Sequence, residues 1–502
     1  MLPLVLYFGA MLISVPSRRD FLGSVAVGAA VLATRSFAAA PDELTQLTLQ
    51  QAAERVRART VSPVELTRAC LDRITRLNPK LNAFITVTGE SALAEAKALE
   101  DDAQRGRWRG PLHGVPIALK DNIDTAGVRT TAGSAVFADR VPTEDAEVTR
   151  RLKAAGAVFL GKLNMHEFAI GGTTAVTYFG PVKNPWNLDY HPSGSSGGSG
   201  AAVSAELCYG ALGTDTGGSI RGPAAYCSIV GLKPTYGRVS IRGIIPMCWS
   251  LDHCGPMCRT VADCALMLGP LAGYDSLDLS SRDHAVANYM SAIGAKVAAF
   301  RIGVPRAVFY DKLDPEIAQA MATALAVFHK LAASVEDVQL PTMMDMGNIG
   351  GAEIYAYHEE QFAKTPNLYQ PQTRRAIERG KQASAAQYLK ARRDVEMLRR
   401  NIGASFQKID AVVTPTYEKP SETIAEVLKR AETDTPTPIS LSPRSPFNVM
   451  GLPTISIPCG FTSKGLPIGM QISAAPWQEE KVLALAHAYE QATEWHKRRP
   501  PL

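Results

Sequence analysis

The sequence has few aromatic residues, no block of like charge and no long apolar run. Aromatic side chains make up 7% of its 502 residues, and 53 basic against 48 acidic residues leave a formal net charge of +5. Nucleic-acid-binding surfaces concentrate lysine and arginine, so this dispersed charge argues against a nucleic-acid partner. With 46% hydrophobic and 20% charged residues, the chain can nevertheless bury a large core.

The eight cysteines do not form the paired hooks of a structural zinc site, nor do they imply a disulfide framework. Four of them, together with His253, fall in residues 248–264, where small buried residues in a packed segment explain them better than a metal does. The cysteine pattern therefore predicts no metal site.

The first forty residues have the features of an export signal. Arg18 and Arg19 precede an uncharged stretch, and Ala38, Ala39 and Ala40 follow it as small residues for a cleavage site. A stable membrane span needs about 20 apolar residues, so the uncharged stretch is too short, although an N-terminal anchor is the alternative. The pattern resembles a twin-arginine signal, which predicts a bacterial source and a periplasmic or secreted protein.

Beyond residue 40, the pattern predicts an α/β fold with helices alternating with buried strands. Ser62 and Glu65 form a capping box that begins a helix over residues 63–77. Short apolar segments at residues 115–119, 157–160 and 411–413 are typical of strands buried on both faces of a mixed sheet. We predict one large domain over residues 41–502, a mixed central sheet covered by helices, with a helical, charge-rich insertion around residues 310–435.

Two glycine- and serine-rich turns carry the strongest chemical signal. Residues 191–200 and 213–221 flank a short helical stretch of small residues, which suggests backbone brought close to a ligand rather than a flexible linker. Neither turn has the lysine of a phosphate-binding loop. Two interpretations remain: a nucleophile elbow at Ser196 with a distant histidine, or a serine paired with Lys120, which ends an apolar strand.

Several motifs together resemble the amidase signature family. They span nearly the whole chain after residue 40, in residues 114–122, 193–199, 215–221, 231–240, 250–257 and 451–460. The resemblance implies a serine amidohydrolase in which Ser219 is the nucleophile, Ser195 the bridging serine after a cis peptide bond, and Lys120 the base. It also implies that the backbone N–H groups of Thr216, Gly217 and Gly218, with that of Ser219, hold the oxyanion. The resemblance further implies that neither a metal nor an organic cofactor is needed.

The chain departs from the family pattern at several positions, and two of them lie close to the triad in sequence. Ser193 stands where the family usually has glycine, and Gly222 replaces a larger residue, which we expect to widen the acyl side of the pocket. For Asp215 and Arg221 two roles stay open, a salt-bridged pair that holds the loop or a contact to substrate.

The alternative function is the A subunit of a tRNA-dependent amidotransferase. Those subunits typically carry a glutamine-gripping tract where this chain has residues 350–358, and an aspartate before the segment that corresponds to residues 448–453. Both features are missing here, so we expect a hydrolase for a small-molecule amide, with formation of a homodimer left open. The sequence does not name the amide.

Overall fold

A mixed sheet forms the centre of the molecule, as the α/β pattern predicts. The computed structural model describes residues 41–341, 347–433 and 442–502. The predicted export signal, residues 1–40, lies outside the described residues. Within those ranges, none of the helices combines the length and apolar character required to cross a bilayer.

The described strands join into a single sheet of 11 strands in the order β1-β3-β2-β4-β6-β5-β10-β11-β9-β7-β8. Their bounds are β1 (Phe84–Val87), β2 (Pro116–Lys120), β3 (Val158–Leu163), β4 (Gly210–Asp215), β5 (Val230–Lys233), β6 (His253–Cys258), β7 (Arg301–Val304), β8 (Ser334–Asp337), β9 (Ala411–Pro415), β10 (Thr454–Phe461) and β11 (Pro467–Ser473). Strand β2 runs parallel to both β3 and β4, whereas β4 and β6 pair antiparallel.

Every residue of the central strands β2, β4, β5 and β6 is buried, because helices cover the sheet. Their bounds are α1 (Pro41–Thr45), α2 (Leu49–Arg57), α3 (Pro63–Leu81), α4 (Gly89–Gln104), α5 (Glu147–Ala154), α6 (Gly197–Ser204), α7 (Arg221–Tyr226), α8 (Val261–Leu271), α9 (Arg306–Phe309), α10 (Pro315–Leu331), α11 (Gly347–Lys364), α12 (Pro371–Gly380), α13 (Ala385–Asn401), α14 (Ile424–Glu432), α15 (Pro446–Val449) and α16 (Glu479–Gln491).

The capping box at the start of α3 is confirmed. The Ser62 hydroxyl accepts from the Glu65 backbone N–H at 3.1 Å, and the Glu65 carboxylate accepts from the Ser62 N–H at 2.7 Å. The helix continues four residues past the predicted end, because Leu81 is buried in the core. Asn82 then ends it in a left-handed conformation. The three predicted strand segments correspond to β2, β3 and β9.

The region predicted as a solvated helical insertion is more integrated than we expected. It contributes β8 and β9 to the sheet, and β9 is buried along its whole length. Within α11, Glu353 is buried and its carboxylate accepts from the Ser250 backbone N–H at 3.0 Å. Strand pairing and this buried carboxylate therefore attach the segment to the core. The charged composition of the segment does not predict these contacts.

The cysteines are core residues. All eight lie in the described ranges, where each is buried and free of a disulfide. Among the described residues, no three histidine, cysteine, aspartate or glutamate side chains cluster as a metal site would require.

Candidate active site

The candidate site lies where the parallel strands β2 and β4 end. Lys120 is the last residue of β2, and Asp215 is the last residue of β4. Because parallel neighbours present their carboxyl ends at the same edge of a sheet, Lys120 and the loop after β4 meet there.

Lys120 is fully buried between two hydroxyl groups. Its Nζ forms 2.7 Å hydrogen bonds with Ser195 Oγ and with Thr214 Oγ1. Burial lowers the pKa of Lys120 to about 7, even though the carboxylates of Asp252 and Asp215 favour its charged form. A lysine with this pKa exists partly as the neutral amine near pH 7 and can accept a proton.

Ser195 lies in a tightly packed loop. The Gly194–Ser195 peptide bond is cis, as the family resemblance implies. A β-carbon at Gly194 would lie 2.7 Å from the backbone nitrogens of Thr173 and Thr174, so only glycine fits there. The Ser195 carbonyl accepts from the His166 N–H at 3.1 Å. The serine- and glycine-rich tract is therefore a fixed loop and not a linker.

Ser219 stands two residues before α7, on the loop that follows β4. Its relative exposure is 9%, compared with 0% for Ser195 and for Lys120. Within the described part of the chain, no hydrogen bond joins the Ser219 and Ser195 hydroxyls. The structure thus shows the Lys120–Ser195 contact directly and places Ser219 on the neighbouring loop.

The peptide groups before Ser219 point in different directions. The Gly218 N–H donates to Asp215 Oδ1 at 2.7 Å, and the Gly217 carbonyl accepts from Ser445 Oγ at 3.3 Å. Gly218 therefore leaves the predicted oxyanion set, because its only donor is already used inside the protein. No described residue accepts from the N–H groups of Thr216, Gly217 or Ser219, and these three stay predictions.

A buried ion pair holds this loop. Asp215 and Arg221 are both 0% exposed, and Arg221 Nε donates to Asp215 Oδ2 at 3.0 Å. Burial opposes ionisation of Asp215, but the Arg221 guanidinium outweighs it and lowers the pKa of the carboxyl. The Asn448 side chain donates to the Asp215 carboxylate and accepts from Arg221. The sequence left two roles open for Asp215 and Arg221, a salt-bridged pair or a contact to substrate. The structure shows the salt-bridged pair that holds the loop.

Comparison with known proteins gives the family of the chain. The family model described as Amidase matches residues 65–483. The chain belongs to the amidase family.

Similar proteins include both hydrolases and amidotransferase components. The A subunit of a glutamyl-tRNA(Gln) amidotransferase from Moorella thermoacetica is 42% identical over 489 residues, covering 92% of this chain and 99% of the relative. The structure of a 6-aminohexanoate cyclic dimer hydrolase matches with a TM-score of 0.83 at 30% identity, covering 91% and 99% of the two chains. That of the corresponding A subunit from Thermotoga maritima matches with a TM-score of 0.71 at 32% identity, covering 90% and 95%.

Within this amidase fold, the sequence-based interpretation left several polar residues without a role. Thr214 is the second partner of Lys120. Asp252 is buried and accepts from Thr216 Oγ1 at 2.5 Å, and burial raises the pKa of Asp252 to about 7. Asp252 lies in the family motif at residues 250–257. The motif alone does not show that Asp252 bonds the loop that precedes Ser219.

The prediction that Gly222 widens the acyl side of the pocket is wrong. A β-carbon at Gly222 would lie 2.6 Å from Tyr417 Oη and 2.7 Å from Ser193 Oγ, so these two hydroxyl groups fill the space. The nucleophile-elbow interpretation also gains no support, because Ser196 Oγ donates to the Thr214 carbonyl at 3.1 Å. No histidine hydrogen-bonds Ser196 in the described ranges.

Proposed function

We propose that the protein hydrolyses a carboxylic amide through an acyl-Ser219 intermediate. The observation that carries this proposal is the 2.7 Å contact between the buried Lys120 Nζ and Ser195 Oγ, at the sheet edge where the Ser219 loop also begins. A buried amine of lowered pKa next to a serine supplies a base without a histidine.

In the acylation step, Ser219 Oγ forms a bond with the amide carbonyl carbon. The Ser219 proton passes to Ser195 Oγ, and the Ser195 proton passes to neutral Lys120. The resulting oxyanion accepts from the free N–H groups of Thr216, Gly217 and Ser219, each well-aimed donor contributing about 3–4 kcal/mol. Collapse breaks the carbon–nitrogen bond, and Ser195 returns a proton to the departing nitrogen, which is a poor leaving group until protonated. Water then cleaves the acyl ester.

Active-site labelling tests the identity of the nucleophile. An organofluorophosphonate should modify Ser219, and Ser219→Ala should abolish both labelling and amide turnover while leaving the protein folded. The matched variant is Ser196→Ala, at the position that the nucleophile elbow would use. Modification of Ser196, together with full activity of Ser219→Ala, would overturn the proposal in favour of the elbow.

Sequence identity favours a second candidate, the glutamine-hydrolysing A subunit of a tRNA-dependent amidotransferase. The 42% identity over nearly the entire relative supports it better than it supports a stand-alone amidase. Against this candidate, residues 350–358 lack the tract that grips glutamine. These residues lie within α11, where the Glu353 carboxylate accepts a hydrogen bond from the Ser250 backbone N–H instead. The stand-alone amidase is our main proposal for this reason and because of the predicted export signal.

Substrate assays separate the two candidates. A panel of aliphatic, aryl and peptide amides, read by mass spectrometry of the released acids, should show turnover by the purified chain alone. Ammonia release from glutamine that exceeds turnover of every other amide, and that rises when the other components of the amidotransferase are added, would establish the second candidate.

We further propose that residues 1–40 direct export of the folded protein by the twin-arginine route, in a bacterial host, to the periplasm or beyond. The support is the Arg18-Arg19 pair, the uncharged stretch after it and the alanine-rich end. The proposed catalytic residues all lie downstream of this segment.

A further inference from the structure

Arg444 lies directly beside the loop that carries the proposed nucleophile. A β-carbon at Gly218 would overlap Arg444 Nε and would lie 2.5 Å from Arg444 Cδ. Gly218 immediately precedes Ser219 in the chain, so the guanidinium packs across the backbone next to the reacting hydroxyl. Arg444 is half-buried, in contrast to the fully buried Arg221.

Aromatic stacking fixes the position of this arginine. Its guanidinium carbon lies 3.6 Å from the centre of the Tyr417 ring, and the Tyr417 ring stacks on Tyr226 at 4.0 Å between ring centres. Arg444 Nη1 donates to the Thr416 carbonyl at 3.1 Å. The Tyr417 hydroxyl in turn hydrogen-bonds Ser193 Oγ, two residues before the bridging serine. The cation is therefore held rigidly between the two loops of the site.

The charge of Arg444 is not neutralised by a described residue. No carboxylate in residues 41–341, 347–433 or 442–502 lies within 4 Å of its guanidinium, and Nε and Nη2 have no acceptor there. The carboxylate of Asp215, at the start of the nucleophile loop, is already bound by Arg221. A rigid guanidinium with two free donors is suited to a carboxylate.

We infer that Arg444 is a specificity-determining residue that binds a carboxylate on the amide substrate, close to the scissile carbonyl. This inference rests on the proposed hydrolysis at Ser219 and defines its substrate class as amides of dicarboxylic or amino-carboxylic acids. It does not depend on which of the two candidate functions is correct, because glutamine also carries a carboxylate.

Matched pairs of anilides test the assignment. Succinyl-p-nitroanilide and butyryl-p-nitroanilide differ only by a carboxylate in place of a methyl group, and glutaryl- and valeryl-p-nitroanilide form a second pair. The wild-type protein should prefer the acidic member of at least one pair in kcat/KM. In Arg444→Met, the ratio of acidic to neutral kcat/KM should fall about 10- to 100-fold, as expected for a lost hydrogen-bonded charge pair. Arg444→Lys should recover part of it.

The control variant is Arg306→Met, which removes an exposed arginine paired with Asp337 of the edge strand β8 and should leave the ratio unchanged. If no anilide is cleaved, protection is measured instead. Succinate or glutarate should slow fluorophosphonate labelling of Ser219 more than butyrate or valerate does, and Arg444→Met should remove the difference.

Equal kcat/KM values for the acidic and neutral anilides, together with equal protection by the acidic and neutral acids, would overturn the role of Arg444. The hydrolase proposal would remain intact. Failure of the proposed function has a different signature. In that case Ser219 would not be labelled and no amide would be cleaved, whatever its charge.

Discussion

The Ser193 hydroxyl occupies the space that a side chain at Gly222 would need. Its Oγ lies 2.7 Å from the position of a β-carbon at residue 222. Both residues depart from the usual family pattern, one by gaining a side chain and the other by losing it. The two departures compensate each other, and the Tyr417 hydroxyl that bonds Ser193 lies in the same space.

This contact predicts a coupled effect on stability. Alanine gains up to about 1 kcal/mol of helix propensity over glycine, but overpacking costs about 1–3 kcal/mol, so Gly222→Ala should lower the free energy of unfolding overall. Adding Ser193→Gly should recover part of the loss. A urea-denaturation double-mutant cycle measures the coupling, and strictly additive effects of the two substitutions would show that the residues do not share space.

The lowered pKa of Lys120 predicts the pH dependence of the reaction. Burial lowers this pKa to about 7, and the neutral amine is the active form. The kcat/KM should therefore rise about tenfold per pH unit below pH 7 and level off above it. In Lys120→Ala, kcat/KM should fall by several orders of magnitude and should not rise with pH in this way. A rise centred near pH 4, as for an ordinary carboxylate, would assign the base to another group.

The buried ion pair under the nucleophile loop should contribute strongly to the stability of the fold. Arg221→Met leaves the Asp215 carboxylate without its guanidinium partner, and we expect a loss of about 3–5 kcal/mol in the free energy of unfolding. The matched control is Arg306→Met, whose exposed partner Asp337 makes the pair worth about 0–1 kcal/mol. Similar losses in the two variants, measured by urea denaturation, would contradict the structural role of the buried pair.

Export is tested by cell fractionation of the bacterial host. A species shorter by about 40 residues should appear outside the cytoplasm, because the predicted cleavage site follows the alanine-rich end of the signal. Replacing both Arg18 and Arg19 with lysine should leave the uncleaved precursor inside. Normal export of the double variant would count against the twin-arginine route. A full-length cytoplasmic protein would count against export itself and would favour the amidotransferase candidate.

The sequence alone determined the elements that depend on local order. The capping box at Ser62 and Glu65 specifies the start of α3 because both partners lie within one helical turn. Buried strands such as β2 are visible as apolar runs that end at a charged residue, here Lys120. The motif order also predicts Lys120, Ser195 and Ser219 as the catalytic residues, because the resemblance to the family is carried by short, recognisable segments.

Only the tertiary structure decided which distant groups meet. The parallel pairing of β2 with β4 brings Lys120 to Thr214, and α15 brings Asn448 to Asp215. Arg444 reaches Gly218 in the same way, from more than two hundred residues away. No local pattern encodes such contacts, because they depend on strand order and on the shape of the space between loops. For the same reason, the sequence could not show that Gly218 donates its N–H to Asp215.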